Sequence, residues 1–105
     1  MNCVFVCYVD PTIFLKDSDY TFSQKEVNNI AELTDEYTMN DSYFMKRLGK
    51  YDNPFWFIDS LDDKIKLEIH ANLSETDSET IAKVFNNKVV WAIETLMGKG
   101  ATKLS

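Results

Sequence analysis

The sequence contains few of the residues from which disulfides, metal sites and long linkers are built. Its 105 residues include two cysteines, one histidine, two prolines and three glycines. A chain of this length with 45% hydrophobic residues can bury enough apolar surface to fold without disulfides or metal ions. We therefore expect one domain over residues 1–97, followed by a flexible C-terminal tail over residues 98–105.

Targeting and membrane segments are also missing from the sequence. The first basic residue is Lys16, and the opening apolar run over residues 3–9 is too short for a secretory signal. No stretch reaches the roughly eighteen apolar residues of a membrane helix. If residues 3–9 form a strand, Cys3 and Cys7 lie roughly 13 Å apart, too far for a disulfide. The expected location is therefore the cytoplasm.

Acidic side chains are concentrated in the first half of the chain. The formal net charge is −6. Residues 1–45 hold eight acidic side chains against Lys16 and Lys25, whereas the remaining residues hold nine acids and nine bases. This imbalance disfavours direct binding of nucleic acid or anionic lipid, and it favours a cationic protein partner.

Three segments have the patterns of β-strands. The unbroken apolar run at residues 3–9 is typical of a central strand covered on both faces. Residues 55–58 form a short aromatic strand, and residues 59–63 are expected to be a turn. Residues 64–71 alternate between apolar and polar side chains, as in an antiparallel strand with one face in water. The apolar set is Ile65, Leu67, Ile69 and Ala71, and the polar set is Lys64, Lys66, Glu68 and His70.

Two capping boxes predict the longer helices. A serine followed three residues later by glutamate, at residues 23–26, opens a helix over about residues 24–37. A threonine and a glutamate with the same spacing, at residues 76–79, open the strongest apolar stripe of the sequence, over about residues 77–97.

A shorter helix is expected over residues 42–48. Asn40 or Asp41 would cap its beginning, and Gly49 would end it in the left-handed conformation. The resulting order is β-α-α-β-β-α. It predicts an α+β fold in a single domain, with a three-stranded, mainly antiparallel sheet packed with two or three helices.

Few side chains are suited to catalysis. Glu68 and His70 share one face of the third strand, roughly 6.6 Å apart, so they could act as a base and its orienting partner. Lys66 continues the same polar row, which favours a solvated face instead. Cys3 or Cys7 could be a nucleophile activated by His70 only if the first and third strands pair with matching faces, and cysteines are usually buried in cores.

Metal, cofactor and nucleic-acid motifs are absent from the sequence. Asp59, Asp62 and Asp63 could offer oxygen ligands to a hard cation, but the calcium-loop spacing is missing and aspartate is common in turns. No zinc spacing, P-loop or dinucleotide fingerprint occurs. Residues 43–51 interleave aromatic rings with three cations, too few for nucleic-acid binding by an acidic protein. We therefore expect no cofactor and no metal site, and an enzyme is the less favoured class.

Acidic residues between positions 10 and 41 supply a candidate surface for a partner. Glu32 and Glu36 form a like-charge pair one turn apart in the first helix, which costs roughly 0.2–0.5 kcal/mol in an isolated helix. A cationic partner would relieve this repulsion, and an ordinary solvated face is the alternative. The candidate partner-binding residues are Asp17, Asp19, Glu32, Asp35, Glu36 and Asp41.

Some apolar residues fall outside the predicted core faces. Two lie on the aromatic strand and two lie beside the apolar stripe of the last helix. These candidates for a subunit interface or a pocket are Trp56, Ile58, Val90 and Trp91, with Tyr8 and Tyr37 as further pocket residues.

Two functional hypotheses follow from these patterns. The first is a non-catalytic acidic protein-binding module, such as an inhibitor or immunity-type partner of a cationic, nucleic-acid-processing protein. The alternative is a homodimeric α+β domain that binds a small molecule in an aromatic-lined pocket. A hydrolase or lyase that uses Glu68, His70 or a cysteine ranks third.

Overall fold

A computed structural model describes residues 3–17 and 19–98 of the chain. The predicted α+β class and element order are confirmed. The predicted tail lies outside the described residues from position 99 onward. The elements are β1 (Val4–Val9), α1 (Gln24–Met39), α2 (Ser42–Leu48), β2 (Phe55–Leu61), β3 (Lys64–His70) and α3 (Glu75–Met97), with a 3-10 turn at Pro11–Phe14.

The three strands form one antiparallel sheet with the order β1-β3-β2. In the centre of the sheet, Leu67 of β3 lies opposite Cys7 of β1 and Ile58 of β2. We expected the first strand to be central and covered on both faces, and this prediction is wrong. β1 is an edge strand whose residues alternate between exposed and partly buried, because β3 pairs with both other strands.

The core lies between one face of the sheet and the helices. The alternation predicted for β3 is confirmed, since Ile65, Leu67 and Ile69 are fully buried. Burial of each such side chain contributes about 1.5–3 kcal/mol. The helices complete the core with Val27, Ile30, Ile81, Phe85, Val89 and Ile93, and the connection after β1 adds Phe14 and Leu15.

The capping box of α1 forms as the sequence predicts. Glu26 N donates to Ser23 Oγ at 3.2 Å, and Ser23 N donates to Glu26 Oε1 at 2.9 Å. In α2, Asp41 is the N-cap and its Oδ1 accepts from Phe44 N at 2.9 Å. Gly49 has a φ of −63°, so the predicted left-handed stop is not formed.

The last helix begins earlier than its predicted capping box. Ser74 is the N-cap, and its Oγ accepts from Asp77 N at 3.1 Å. Thr76 therefore lies inside the helix instead of at its start. The serine is also contacted from outside the helix, since Ser74 N donates to Tyr51 Oη at 3.0 Å. In the described part of the chain, no helix is both long enough and apolar enough to cross a membrane.

The second face of the sheet is open among the described residues. Apolar side chains of both edge strands point to this face and are about half exposed, with Tyr8 at 55% and Phe55 at 58%. Between them, the polar residues of β3 form a central row. The fold therefore has two layers, one of helices and one of sheet.

Candidate functional site

The turn between β2 and β3 brings acidic residues from both halves of the chain to one end of the molecule. Asp62 and Asp63 form this two-residue turn, and Asp62 adopts a left-handed φ of 54°, which aspartate tolerates better than most residues. Val9, the last residue of β1, pairs with Ile65 near the start of β3. Asp10 therefore lies beside the turn, although it is more than fifty residues away in the sequence.

A cleft of about 270 Å³ opens at this end and is lined by the side chains of Asp10, Asp19 and Asp63, together with Tyr20 and Thr12. The buried residues Phe22 and Val27 supply its apolar lining. We call this the acidic cleft. Its combination of carboxylates and apolar surface suits a long cationic side chain, whose charged head binds carboxylates while its stem packs against apolar atoms.

The electrostatics of the acidic cleft are dominated by carboxylates. Lys64 Nζ lies 3.1 Å from Asp63 Oδ1. Its hydrogen bond and charge interaction with Asp63 raise the pKa of Lys64, and the nearby charges of Asp10 and Asp62 act in the same direction. Three carboxylates therefore surround this one ammonium group, which leaves the surface beside it negative.

Local hydrogen bonds hold the connection that forms one wall of the acidic cleft. Asp10 Oδ1 accepts from Thr12 N at 3.0 Å and starts the 3-10 turn. Tyr20 Oη donates to Glu26 Oε2 at 2.8 Å, and hydrogen bonds from Ser23 and Tyr20 lower the pKa of Glu26. The N-terminal capping box of α1 therefore also fixes the position of Tyr20 in the cleft.

A second group of carboxylates lies where α1 crosses β2. Glu32 and Asp35 of α1 line an open cleft of about 330 Å³ together with Asp59 of β2. Ser60 Oγ donates to Asn28 Oδ1 at 2.7 Å and ties the helix to the strand at this point. Partial burial raises the pKa of Asp35, as expected for a carboxyl group without a compensating charge.

The structure separates the other predicted partner-binding residues. Asp17 Oδ1 accepts from Asp19 N at 3.0 Å, so these two share the connection before α1. Glu36 is exposed on α1, one turn beyond Glu32. Asp41 lies apart at the start of α2, where its charge is compensated by Lys88 at 2.7 Å.

Neither acidic group has the spacing of a metal site. Within residues 3–17 and 19–98, no group of three or more histidine, cysteine or acidic side chains is arranged to hold a metal ion. Carboxylates spaced more widely than metal ligands can still contact an extended cation such as a guanidinium group.

The predicted apolar interface residues lie mostly against the core. Trp56 packs edge-to-face on Phe44, with ring centroids 5.1 Å apart, and Ile58 packs beside it. Val90 is only 8% exposed, whereas Trp91 is 52% exposed. On β2 it is Phe55 that faces outward, so the inward and outward faces of this strand are the reverse of what the sequence suggested.

Trp91 lies in a groove between the helices. Trp91 and Tyr37 pack edge-to-face with ring centroids 6.3 Å apart, and both line two adjoining open clefts of about 450 and 480 Å³. Tyr37 Oη and Thr95 Oγ1 are 2.7 Å apart, which links the two helices that form the groove. Lys88 lies beneath Trp91, with Nζ 4.0 Å from the ring centroid. We call this the aromatic groove.

The register of the sheet separates the cysteines from the histidine. Cys7 lies opposite Leu67 and faces the core, whereas His70 lies opposite Val4 and faces outward. A thiolate of Cys7 activated by His70 is therefore impossible in this fold. Glu68 and His70 do meet, with Oε2 and Nε2 2.6 Å apart, and this hydrogen bond lowers the pKa of Glu68. The pair lies on the open sheet face, outside any of the clefts described above.

Comparison with models of protein families, with curated protein sequences and with solved structures finds no match to this chain. The site must therefore be interpreted from its own geometry. The residues that sequence reasoning left out of the partner-binding surface are Asp10, Asp59, Asp62 and Asp63, the last three of which it considered as ligands of a hard cation or as turn residues. The signal that could have found them is the hairpin itself, because antiparallel pairing of β1 with β3 brings this turn next to Asp10.

Proposed function

We propose that this protein is a non-catalytic binding module that takes up a cationic segment of another protein in its acidic cleft. The proposal depends above all on one observation, the convergence of Asp10, Asp19 and Asp63 from three separate segments around a partly apolar cleft. Like charges in such proximity repel one another, and a cationic partner relieves that repulsion. A cytoplasmic location and a nucleic-acid-processing protein as the partner are part of this proposal.

The second acidic group extends the binding surface along α1. Val27 lines the acidic cleft and its neighbour Asn28 lines the cleft formed by Glu32, Asp35 and Asp59. The two clefts therefore lie on neighbouring sides of α1. A segment with several basic residues could place one side chain in each, and such repeated charge contacts increase the rate of association.

The proposal predicts that two exposed carboxylates of the acidic cleft matter more than two others of equal charge. The variant Asp19→Asn/Asp63→Asn should bind a peptide of alternating arginine and glycine about tenfold more weakly than wild type at low salt. The control Asp52→Asn/Glu79→Gln removes the same charge from exposed positions outside the cleft. We expect it to weaken binding less than about twofold. Fluorescence anisotropy with a labelled peptide measures both affinities.

Two results would contradict the proposal. Equal losses in the two variants would mean that the peptide responds only to net charge. If wild type does not bind the peptide at about 20 mM salt, where surface charges are weakly screened, a cationic ligand is ruled out.

A second candidate function is the binding of a ring-shaped ligand in the aromatic groove. The specific observation in its favour is the half-exposed Trp91 ring beside Tyr37, flanked by the polar side chains of Asn40, Glu94 and Thr95. An exposed aromatic face with polar neighbours suits a ring that has one apolar face and hydroxyl groups, such as a sugar or a nucleoside.

Tryptophan fluorescence tests this second candidate directly. In the variant Trp56→Phe, the remaining tryptophan, Trp91, reports the groove alone. We expect glucose, ribose or adenosine at about 10 mM to change its emission, and the change to disappear in Trp91→Phe, where Trp56 is the reporter. Unchanged emission of Trp56→Phe with all three compounds would rule out this class of ligand.

A further inference from the structure

The open face of the sheet consists of three parallel bands of side chains. An apolar band runs along each edge strand, and a polar band runs along the central strand between them. The β1 band is Val4, Val6 and Tyr8, and the polar band is Lys64, Lys66, Glu68 and His70. The β2 band is Phe55, Phe57 and Leu61, and it is interrupted by the exposed Asp59, which is the cross-strand neighbour of Lys66.

Large hydrophobic side chains are concentrated on this face. Five of its large hydrophobic side chains are exposed, from Val6 at 37% to Phe55 at 58%. Two strands of seven residues and one of six cover about 14 Å by 23 Å in plan. Exposed hydrophobic side chains grouped beside polar residues are candidates for an interaction surface.

We propose that a second copy of this chain covers the open face, related to the first by a two-fold axis that lies between the two sheets. The axis runs perpendicular to the strands and crosses β3 midway between Lys66 and Glu68. Each apolar band then packs on the same band of the second copy, and the polar bands meet in the centre. A two-fold interface must be self-complementary, and a symmetric apolar–polar–apolar pattern satisfies this requirement.

Charge complementarity fixes the position of the axis along the strands. Within one chain, Lys66 Nζ lies 3.4 Å from Glu68 Oε1. The proposed axis brings Lys66 of each copy opposite Glu68 of the other, so each charge gains a partner from the second copy. On the flanks, the register places Val6 opposite Tyr8 and Phe55 opposite Leu61 of the second copy. Asp59 lies opposite Phe57 of the second copy, on an edge strand, so its carboxylate stays at the rim of the interface in contact with water. Facing sheets of this kind pack with their strands about 30° apart.

The acidic end of the molecule fixes the direction of the axis. An axis parallel to the strands would bring together the two turns that carry Asp62 and Asp63, and like charges would repel. The proposed perpendicular axis reverses the strand direction, so these turns lie at opposite ends of the dimer. The acidic cleft of each copy, with Asp10, Asp19 and Asp63, then remains accessible, so the dimer does not depend on the function proposed for that cleft.

The size of the face predicts a moderate affinity. Because protruding side chains make the accessible surface larger than the flat area, dimerisation buries on the order of 500–600 Å² per copy. This is just above the lower limit for a specific interface. We therefore expect a dimer that forms at micromolar concentrations and dissociates on dilution.

Exchange of the two central charges provides a sharp test. Lys66→Glu gives a face with two central carboxylates, and Glu68→Lys gives one with two central ammonium groups. Each variant alone should have a dimer dissociation constant about tenfold or more above that of wild type. An equimolar mixture of the two should recover a dimer, because each negative face then meets a positive one. Sedimentation equilibrium from about 5 to 500 µM measures all three.

A second pair of variants tests the apolar bands. Tyr8→Lys/Phe55→Lys should be monomeric over the same concentrations, whereas Ile13→Lys/Met39→Lys, which changes exposed apolar residues elsewhere, should dimerise like wild type. Melting curves establish that each variant is folded. A monomeric wild type at the highest concentration would overturn the proposal. So would a dimer that tolerates Tyr8→Lys/Phe55→Lys, or a mixture of the charge variants that remains monomeric.

Discussion

Replacement of Asp77 by asparagine is expected to lower the melting temperature by roughly 10 °C or more. The Asp77 side chain, 4% exposed, lies 2.7 Å from Arg47 Nη1 through Oδ1 and 2.9 Å from Lys50 Nζ through Oδ2. Tyr51 Oη donates to the same carboxylate. This carboxylate joins α2 and the following loop to the first turn of α3. The amide of asparagine carries no charge to compensate either cation. Its NH2 group, a hydrogen-bond donor, would also have to face one of the donors that surround the carboxylate.

A thermal melt at neutral pH measures this effect, and Asp52→Asn is the matched control because Asp52 is exposed in the adjacent loop. The control should melt within about 2 °C of wild type, since exposed charges contribute little. Equal melting temperatures for Asp77→Asn and wild type would show that the buried carboxylate does not stabilise this junction.

The same carboxylate predicts how stability depends on pH. Hydrogen bonds from Tyr51, Lys50 and Arg47 hold the pKa of Asp77 well below its ordinary range. A carboxyl group whose pKa is lower in the folded state contributes stability above its unfolded pKa of about 3.9. That contribution is lost as the pH falls from there toward the folded pKa. Between about pH 5 and pH 3, wild type should therefore lose more stability than Asp77→Asn in urea titrations. Parallel losses in the two proteins would assign the acid sensitivity to other carboxyl groups, such as Glu26 and Glu68, whose pKa values are also lowered.

Local sequence patterns predicted the helices and strands of this fold better than they predicted which strands pair with one another. The strict alternation over residues 64–71 identified β3, its buried face and its outer face. Nothing within residues 3–9 distinguishes an edge strand from a central one, because that depends on which distant strand pairs with β1. The apolar residues on the outer face of β1 suggested burial by helices, but none of the helices within residues 3–17 and 19–98 covers that face, and the exposure of these residues leads to the proposed dimer.

Helix boundaries were predicted where the cap is local and missed where it depends on distant contacts. Ser23 and Glu26 satisfy each other within one turn, so the start of α1 could be read from the sequence. At the start of α3, two hydroxyl residues compete, and the sequence favoured Thr76. Ser74 is the cap, and its backbone N donates to Tyr51, a contact with a distant residue that local sequence does not reveal.

The residues of the candidate site were also predicted only in part. The excess of acidic residues in the first half was evident from composition. Of the predicted residues, Asp19 lines the acidic cleft, and Glu32 and Asp35 line the cleft between α1 and β2. The contributions of Asp59 and Asp63 required the register of the sheet, which sequence periodicity does not supply. Composition also could not distinguish carboxylates that face solvent from those with an internal partner, and Asp41 belongs to the second kind.

The second large effect is expected at Asp41. Asparagine is as good an N-cap as aspartate, so Asp41→Asn preserves the cap of α2 but removes the charge that faces Lys88. The Lys88 side chain is 7% exposed, and its Nζ lies 2.7 Å from Asp41 Oδ2. A buried ammonium group that loses its partner is strongly destabilising, and we expect a loss of about 2–4 kcal/mol in urea unfolding experiments.

The substitution Lys88→Met separates loss of the charge pair from loss of packing. Methionine retains the apolar stem that lies under Trp91 but carries no charge, so Asp41→Asn/Lys88→Met should recover most of the stability lost by Asp41→Asn. The double-mutant cycle then gives a coupling energy of about 1–3 kcal/mol between the two residues. Because this carboxylate compensates an internal charge, Asp41→Asn should leave the affinity for the cationic peptide unchanged. If Asp41→Asn instead leaves stability unchanged and weakens peptide binding, Asp41 belongs to the partner-binding surface. That surface would then include the start of α2.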